Sequence, residues 1–299
     1  MEPRFPGEPL GLIAGGGRLP RIVAEAARAH GFEPVVVRIA DGKDDDWSDF
    51  KGEYFAWGRA GDAVRFMKAS GVKRVLACGT VSRRPDFRSI LPSLRTLLML
   101  PTAFRIVRGG DDRLLRNVAA FLKAQGLEPV AVQDVEPQLL APEGPIAGRA
   151  ADERERAALA LGVRVAQTLG SLDVGQAVVA SQERVIALEA AEGTREMLHR
   201  VADLRARGRV GRNERLALVK VVKPQQDERF DLPSIGVSTI LEADGAGISA
   251  IGVSAGKSLI IDFDALVVAA RDANIAVVGL PRDEASDPSR ADVVSGSEP

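Results

Sequence analysis

A chain of 299 residues with 45% apolar and 27% charged content can build a large core and divides more naturally into two domains than one. Its 40 Lys and Arg against 41 Asp and Glu leave a net charge of −1, which excludes the broad basic field of a nucleic-acid-binding protein. The single cysteine, Cys78, excludes an intrachain disulfide and fits a reducing compartment, while His30 and His199 stand too far apart in sequence for zinc-ligand spacing.

The opening MEPRFPGEP lacks the apolar stretch of a signal peptide, and no run approaches the roughly 20 apolar residues of a membrane span. LGLIA (10–14) reads as a first strand, GGGR as a turn, and LPRIVAEAARAHG as a helix with Leu19, Ile22, Val23, Ala26 and Ala27 on one side. PVVVRI follows as a strand, 62–70 as a helix and VKRVLACG as a strand. A helix over 113–125 ends at Gly126 and hands over to a strand in EPVAV. Strands separated by helices of this length predict βαβ units and a mainly parallel sheet, an α/β fold. Phe66, Met67, Phe121 and Leu122 fall at core positions.

EPQLLAPEGPIAG (136–148) is rich in Pro and Gly and shows no period. It reads as a linker or as a loop closing over a site, dividing the chain into domains 1–138 and 150–299 joined by 139–149. In the second part a long helix covers 152–169. VGQAVVASQERVIALEAAEGT makes two strand-like runs around a polar turn, 196–205 a helix and 216–222 a strand. SAIGV, SLIID and AVVGL are further strands, with a helix over 264–271 between the last two. The texture is mixed α/β, without a repeat or coiled coil.

Several segments carry chemistry. Gly15, Gly16 and Gly17, followed by Arg18 and a helix with Pro20 in its first turn, suit close approach of a phosphate or nucleotide to backbone amides. The spacing is neither G-x-G-x-x-G nor a P-loop, so a purely structural turn stands beside that reading, and an oxidoreductase is disfavoured. Gly109-Gly110-Asp111-Asp112 precedes a helix, and either acid is an N-cap or meets a ribose or base. Thr80, Ser82, Arg83 and Arg84 follow a strand at the edge where parallel sheets take ligands. Asp173 and Gln176, then Glu189, Glu192, Gly193 and Thr194, make polar strand ends. In extended chain Glu189 and Glu192 point to opposite faces, so both serve one site only if the chain turns between them.

The densest segment is LALVKVVKPQQDERFDLPSIG, with Lys220, Lys223, Gln226, Asp227, Arg229 and Asp231 crowded at a strand exit. A phosphorylated ligand held with a divalent metal accounts for the crowding, since Lys and Arg meet phosphate oxygens and aspartates hold a hard cation. A solvated, charged strand exit is the alternative. Any metal here would take oxygen ligands, Mg²⁺ or Mn²⁺.

GLIAGGGRLP, GGDDRLLRN, DVGQAVV, EAAEGT and above all LVKVVKPQQDERFDLPSIGVSTI resemble the LpxI family, the bacterial UDP-2,3-diacylglucosamine pyrophosphatases of lipid A synthesis. The similarity runs from about residue 10 to 281. It implies a Rossmann-like N-terminal domain and a C-terminal mixed α/β domain of distinctive topology, the two flanking the substrate. It further implies a homodimer in the cytoplasm of a Gram-negative bacterium, in peripheral contact with the inner membrane. The activity implied is Mg²⁺-dependent cleavage of UDP-2,3-diacylglucosamine to UMP and 2,3-diacylglucosamine 1-phosphate (lipid X), with water attacking the sugar-side phosphorus.

Carried over residue by residue, the resemblance makes Asp227 the essential aspartate and Asp231 its partner, with Lys220, Lys223 and Gln226 as flanking polar positions. On that basis Asp227, Asp231 and Glu189 or Glu192 complete the metal shell, and Lys220, Lys223 and Arg229 grip the phosphates. Gly15–Gly17, Arg18, Thr80, Asp111, Asp112, Gln176, Glu192, Gly193 and Thr194 contact substrate. One position departs: where members usually read EGTD, this chain has Arg195. Either an acid that held metal in relatives is replaced elsewhere, or a helix cap has changed without consequence. The competing functions are a hydrolase of another nucleotide-sugar and a non-catalytic nucleotide-binding module.

Overall fold

In the computed structural model, residues 1–82, 93, 96, 111–224 and 226–281 are described, with backbone alone for 111–113. Arg83, Arg84, Gly109 and Gly110 lie outside the described residues, as do the side chains of Asp111 and Asp112. The chain forms two compact units, Met1–Gln138 with Asp227–Asp231, and Leu139–Gln226 with Leu232–Pro299.

The first unit is a parallel sheet in the order β3-β2-β1-β4-β5, from β1 (Glu8–Ala14), β2 (Phe32–Arg38), β3 (Lys51–Tyr54), β4 (Arg74–Cys78) and β5 (Glu128–Pro129). This is the Rossmann-like arrangement. The consecutive valines of β2, Val35 to Val37, are all buried, as expected of a strand covered on both faces. Helix α1 (Leu19–Ala29) lays Leu19, Val23, Ala24 and Ala27 inward, so its buried stripe is rotated from the expected one and leaves Ile22 and Ala26 at the margin. Helices α2 (Ala60–Ala69) and α3 (Asp111–Ala124) pack in one cluster with Val35, Val37 and Val75, to which α1 contributes no residue. Met67, Phe121 and Leu122 are buried, with Phe66 packed beside them.

One local expectation fails, and one strand arises without a signal, for identifiable reasons. EPVAV is a strand only at Glu128–Pro129: after Val130 N–H bonds Val75 O, the Asp134 carboxylate accepts Ala131 N–H and starts the short helix α4 (Val132–Val135). Strand β3 gave no sequence signal because it is a short, charged edge strand, the form that discourages further pairing.

The second unit centres on a six-stranded sheet, β6-β13-β11-β9-β7-β8. It combines β6 (Gly144–Ala147), β7 (Ala177–Ala180), β8 (Val185–Leu188), β9 (Ala217–Lys220), β11 (Ala250–Ser254) and β13 (Ala276–Leu280). Strands β9, β11 and β13 run parallel, while β6, and β7 against both of its neighbours, are antiparallel. A separate parallel pair joins β10 (Ser234–Ile235) to β12 (Leu259–Ile260). One core cluster takes Met197, Leu198 and Val201 from α6 (Gly193–Ala206), Ile240 and Ala243 from α7 (Val237–Gly245), and Leu266 and Ala270 from α8 (Phe263–Asp272). The other takes Ala158, Leu159, Val163 and Ala166 from α5 (Glu153–Ser171). Helix α7 carries no helical signal because VSTIL is β-branched and apolar, and burial of Ile240 and Ala243 overrides that propensity.

The Pro/Gly stretch expected as a connector instead supplies β6, hydrogen-bonded along β13. Gly148 then turns with φ +73°, and a Cβ there would fall on the carbonyl oxygen of Ile275. Gly148→Ala is expected to destabilise this unit by about 2–3 kcal/mol in denaturant unfolding, because strain at positive φ adds to overpacking.

Candidate active-site segments

In the first unit the chain leaves β1 for β2 on one side, and β4 pairs on the other. This is the switch point where open α/β sheets take ligands. Here Gly15, Gly16 and Thr80 come together: Gly15 N–H bonds Cys78 O at 2.9 Å, while Gly16 and Thr80 exchange backbone bonds of 2.9 and 2.8 Å. A Cβ on Gly15 would lie 2.5 Å from Thr80 O, and one on Gly16 2.7 Å from the Asp41 Cβ. The first two glycines are therefore required by packing, and their amides donate to Cys78 O and Thr80 O. Only Gly17, at φ +91° with open space around it, keeps the freedom expected of a ligand turn. Arg18 beside it is exposed. Asp41, unnoticed in the sequence, accepts Ser82 N–H at 2.6 Å and ties a third strand end to this loop.

The charged motif after β9 is divided between the units. Asp227, Arg229 and Asp231 belong with the first, where Phe230 packs against the cluster of Val35, Met67 and Phe121, and Glu228 O accepts the Gln133 side chain at 3.0 Å. Arg229 clasps Asp227 through Nε to Oδ1 at 2.8 Å and a terminal nitrogen to Oδ2 at 2.6 Å. These bonds, against the opposing effect of burial, hold the Asp227 carboxyl below its usual range, with help from the Arg229 backbone N–H and the charges of Arg229 and Arg116. Asp227 is thus a firmly ionised, half-buried carboxylate. Asp231 donates its N–H to Asp227 O at 3.2 Å, closing the turn.

In the second unit, Lys220, Lys223, Gln226 and Gln176 meet at one end of the sheet. Lys220 donates to Ser234 O at 3.2 Å, and the Lys223 ammonium sits 2.7 Å from Asp173 Oδ1. Glu189 and Glu192 diverge even though the chain turns between them, with Glu192 already helical in φ and ψ. Glu189 is buried and takes the Thr194 hydroxyl at 2.7 Å; Glu192 faces the surface and pairs with Arg200 at 2.9 Å. Gly193, with φ +83°, begins α6. Arg195 bonds Glu242 at 2.7 Å, a surface link between α6 and α7.

Among the described residues, no three of His, Cys, Asp or Glu gather into a metal-holding group. That excludes an all-protein cage within them. It does fit Mg²⁺ held by one or two carboxylates and completed by substrate phosphates, the usual arrangement for this ion, and an ionised aspartate is a suitable donor.

The chain matches the LpxI N-terminal domain over residues 9–139 and the LpxI C-terminal domain over residues 142–278. It is also 38% identical over 277 residues to UDP-2,3-diacylglucosamine pyrophosphatase LpxI of Caulobacter vibrioides, covering 92% of this chain and 98% of that protein. The chain belongs to the LpxI family. Both halves of an LpxI protein are therefore present in order, and the motif around Asp227 lies inside the matched C-terminal domain although its acidic part packs with the other unit. Among the described residues no helix is long and apolar enough to cross a membrane.

Proposed function

We propose that this protein hydrolyses the pyrophosphate of UDP-2,3-diacylglucosamine. Water attacks the phosphorus nearer the sugar, the bond from that phosphorus to the bridging oxygen breaks, and UMP leaves with the bridging oxygen. The other product is 2,3-diacylglucosamine 1-phosphate. What carries this reading is the near full-length likeness to the Caulobacter enzyme, joined to an Asp227 that the fold keeps ionised.

The chemistry follows from charge. A diphosphate resists attack because its oxygens repel a nucleophile, so positive groups must meet them as charge develops. Lys220 and Lys223 supply those groups by turning from Ser234 O and Asp173 to phosphate oxygens, and Arg229 grips the phosphates while it keeps its bonds to Asp227. A carboxyl held below its ordinary range is a weak base at neutral pH. Asp227 therefore orients the water or anchors a cation in preference to removing a proton. Mg²⁺, or Mn²⁺ in its place, would be held by Asp227 and Asp231 and would neutralise charge on the diphosphate. The acyl chains need apolar surface, and exposed Leu172 and Val174 flank Asp173, the partner of Lys223. The protein acts as a homodimer in the cytoplasm, in peripheral contact with the inner membrane where its substrate resides.

Turnover of the lipid nucleotide with Mg²⁺ in ¹⁸O-water, followed by phosphorus NMR, tests this. The label is expected in the sugar 1-phosphate and not in UMP. Label in UMP would move the attack to the other phosphorus. Binding of UDP with no cleavage of the lipid nucleotide would leave a binding module and end the hydrolase reading.

A further inference from the structure

The exit of β9 is held from behind by a chain of part-buried hydrogen bonds. Glu189 follows β8 and is 7% exposed. Its Oε1 accepts the Thr194 hydroxyl at 2.7 Å and its Oε2 the Gln176 N–H at 3.1 Å. Gln176 passes this constraint on. Its carbonyl accepts Val221 N–H at 3.0 Å, and its side-chain oxygen lies 3.5 Å from Gln226 Nε2. Gln226 in turn accepts Lys223 N–H at 2.9 Å, and the Ser254 hydroxyl on β11 accepts Val222 N–H at 3.3 Å. Three successive amides of the exit, at 221, 222 and 223, are thereby fixed. Gly175 allows no slack, because a Cβ there would fall on the Glu189 carbonyl.

The choice of a carboxylate fits this task. Two donors converge on the side chain of residue 189, and a carboxylate offers each an acceptor oxygen, whereas an amide would turn an NH₂ toward one of them. We infer that Glu189, acting with Thr194 and Gln176, is a positioning residue that fixes the backbone at Val221 and Lys223, and with it the Lys223 side chain, instead of ligating the cation or touching substrate. The inference rests on the hydrolase reading for its catalytic consequence, but not for its structural one. Displacement of a catalytic group by about 1 Å can cost on the order of 10²-fold in rate, so a rigid exit has kinetic value.

Thr194→Val, Thr194→Ser and Glu189→Gln separate the alternatives, using amide hydrogen exchange together with kinetics over a Mg²⁺ titration. Thr194→Val and Glu189→Gln should each speed exchange at Gln176 and Lys223 by about tenfold and lower kcat by about tenfold. They should leave KM and the half-activating Mg²⁺ concentration within about twofold, while Thr194→Ser restores the parent values. A tenfold or greater rise in half-activating Mg²⁺ for Glu189→Gln with exchange unchanged would make Glu189 a cation ligand and overturn the inference. Unchanged exchange with unchanged kcat would overturn it equally. Should the parent protein fail to cleave the lipid nucleotide, the hydrolase reading falls, and the exchange data alone still decide whether this network holds the turn.

Discussion

Asp227→Ala should lower kcat by about 10²-fold or more while the chain remains folded, the loss expected when a transition-state contact is removed. The side chain of Asp227 is 9% exposed whereas that of Arg229 is 45% exposed, so the arginine left behind can return to solvent. The fold should therefore survive, with a thermal midpoint close to the parent's as the control. If Asp227 held only its own turn, Asp227→Asn would retain near-full activity, because an amide still accepts from Arg229. Activity near the parent's in either variant would remove Asp227 from the reaction. A large loss in both, with KM little changed, would place its effect in the chemical step.

The second large effect concerns stability. Glu155 is wholly buried at the start of α5 and accepts two Arg149 bonds of 2.7 and 2.6 Å, while it closes a reciprocal cap with Asp152 at 2.9 Å in each direction. Removing one partner of such a pair strands the other's charge, so Glu155→Ala should destabilise the protein by about 3–5 kcal/mol in denaturant unfolding. Burial alone would raise this carboxyl, but the bonds from Arg149, Asp152 N–H and Ser249 and the Arg149 charge outweigh it and bring it to about 2. A carboxyl depressed on folding contributes stability that is fully present above its ordinary value of 4.5 and is lost as pH falls toward about 2. At about 1.4 kcal/mol per unit, that window carries about 3 kcal/mol. Unfolding free energy measured between neutral pH and pH 2 should fall more steeply for the parent than for Glu155→Gln. Parallel curves would show that the pair does not shape acid stability.

Legibility in the sequence followed the range of the forces involved. Strong periodicity marked β1, α1, β4, α5 and β11 close to where they form, because burial of an apolar stripe is written into neighbouring residues. Elements whose reason for existing lies elsewhere were missed. Strand β6 is drawn out of a Pro/Gly stretch by pairing with β13, some 130 residues later, and α7 is helical against its own propensity. The triple glycine shows the same division: its presence announced a tight turn, yet only packing against Thr80 and Asp41 explains why the first two positions exclude a side chain. Glu189 and Glu192, alike on paper, part company because the turn between them sends one inward and the other out to Arg200.

Residue order alone determined the family, the α/β class and the identity of the charged motif, since these depend on local pattern and on matching side chains in register. Only the tertiary structure decided how that motif is shared. Gln226 is bonded to Lys223 beyond the end of β9 in one unit, while Asp227, its covalent neighbour, turns with Phe230 onto the core of the other. The physical reason is that a single peptide bond can change the body a residue belongs to, and the contacts that hold each side come from strands and helices far away in the chain.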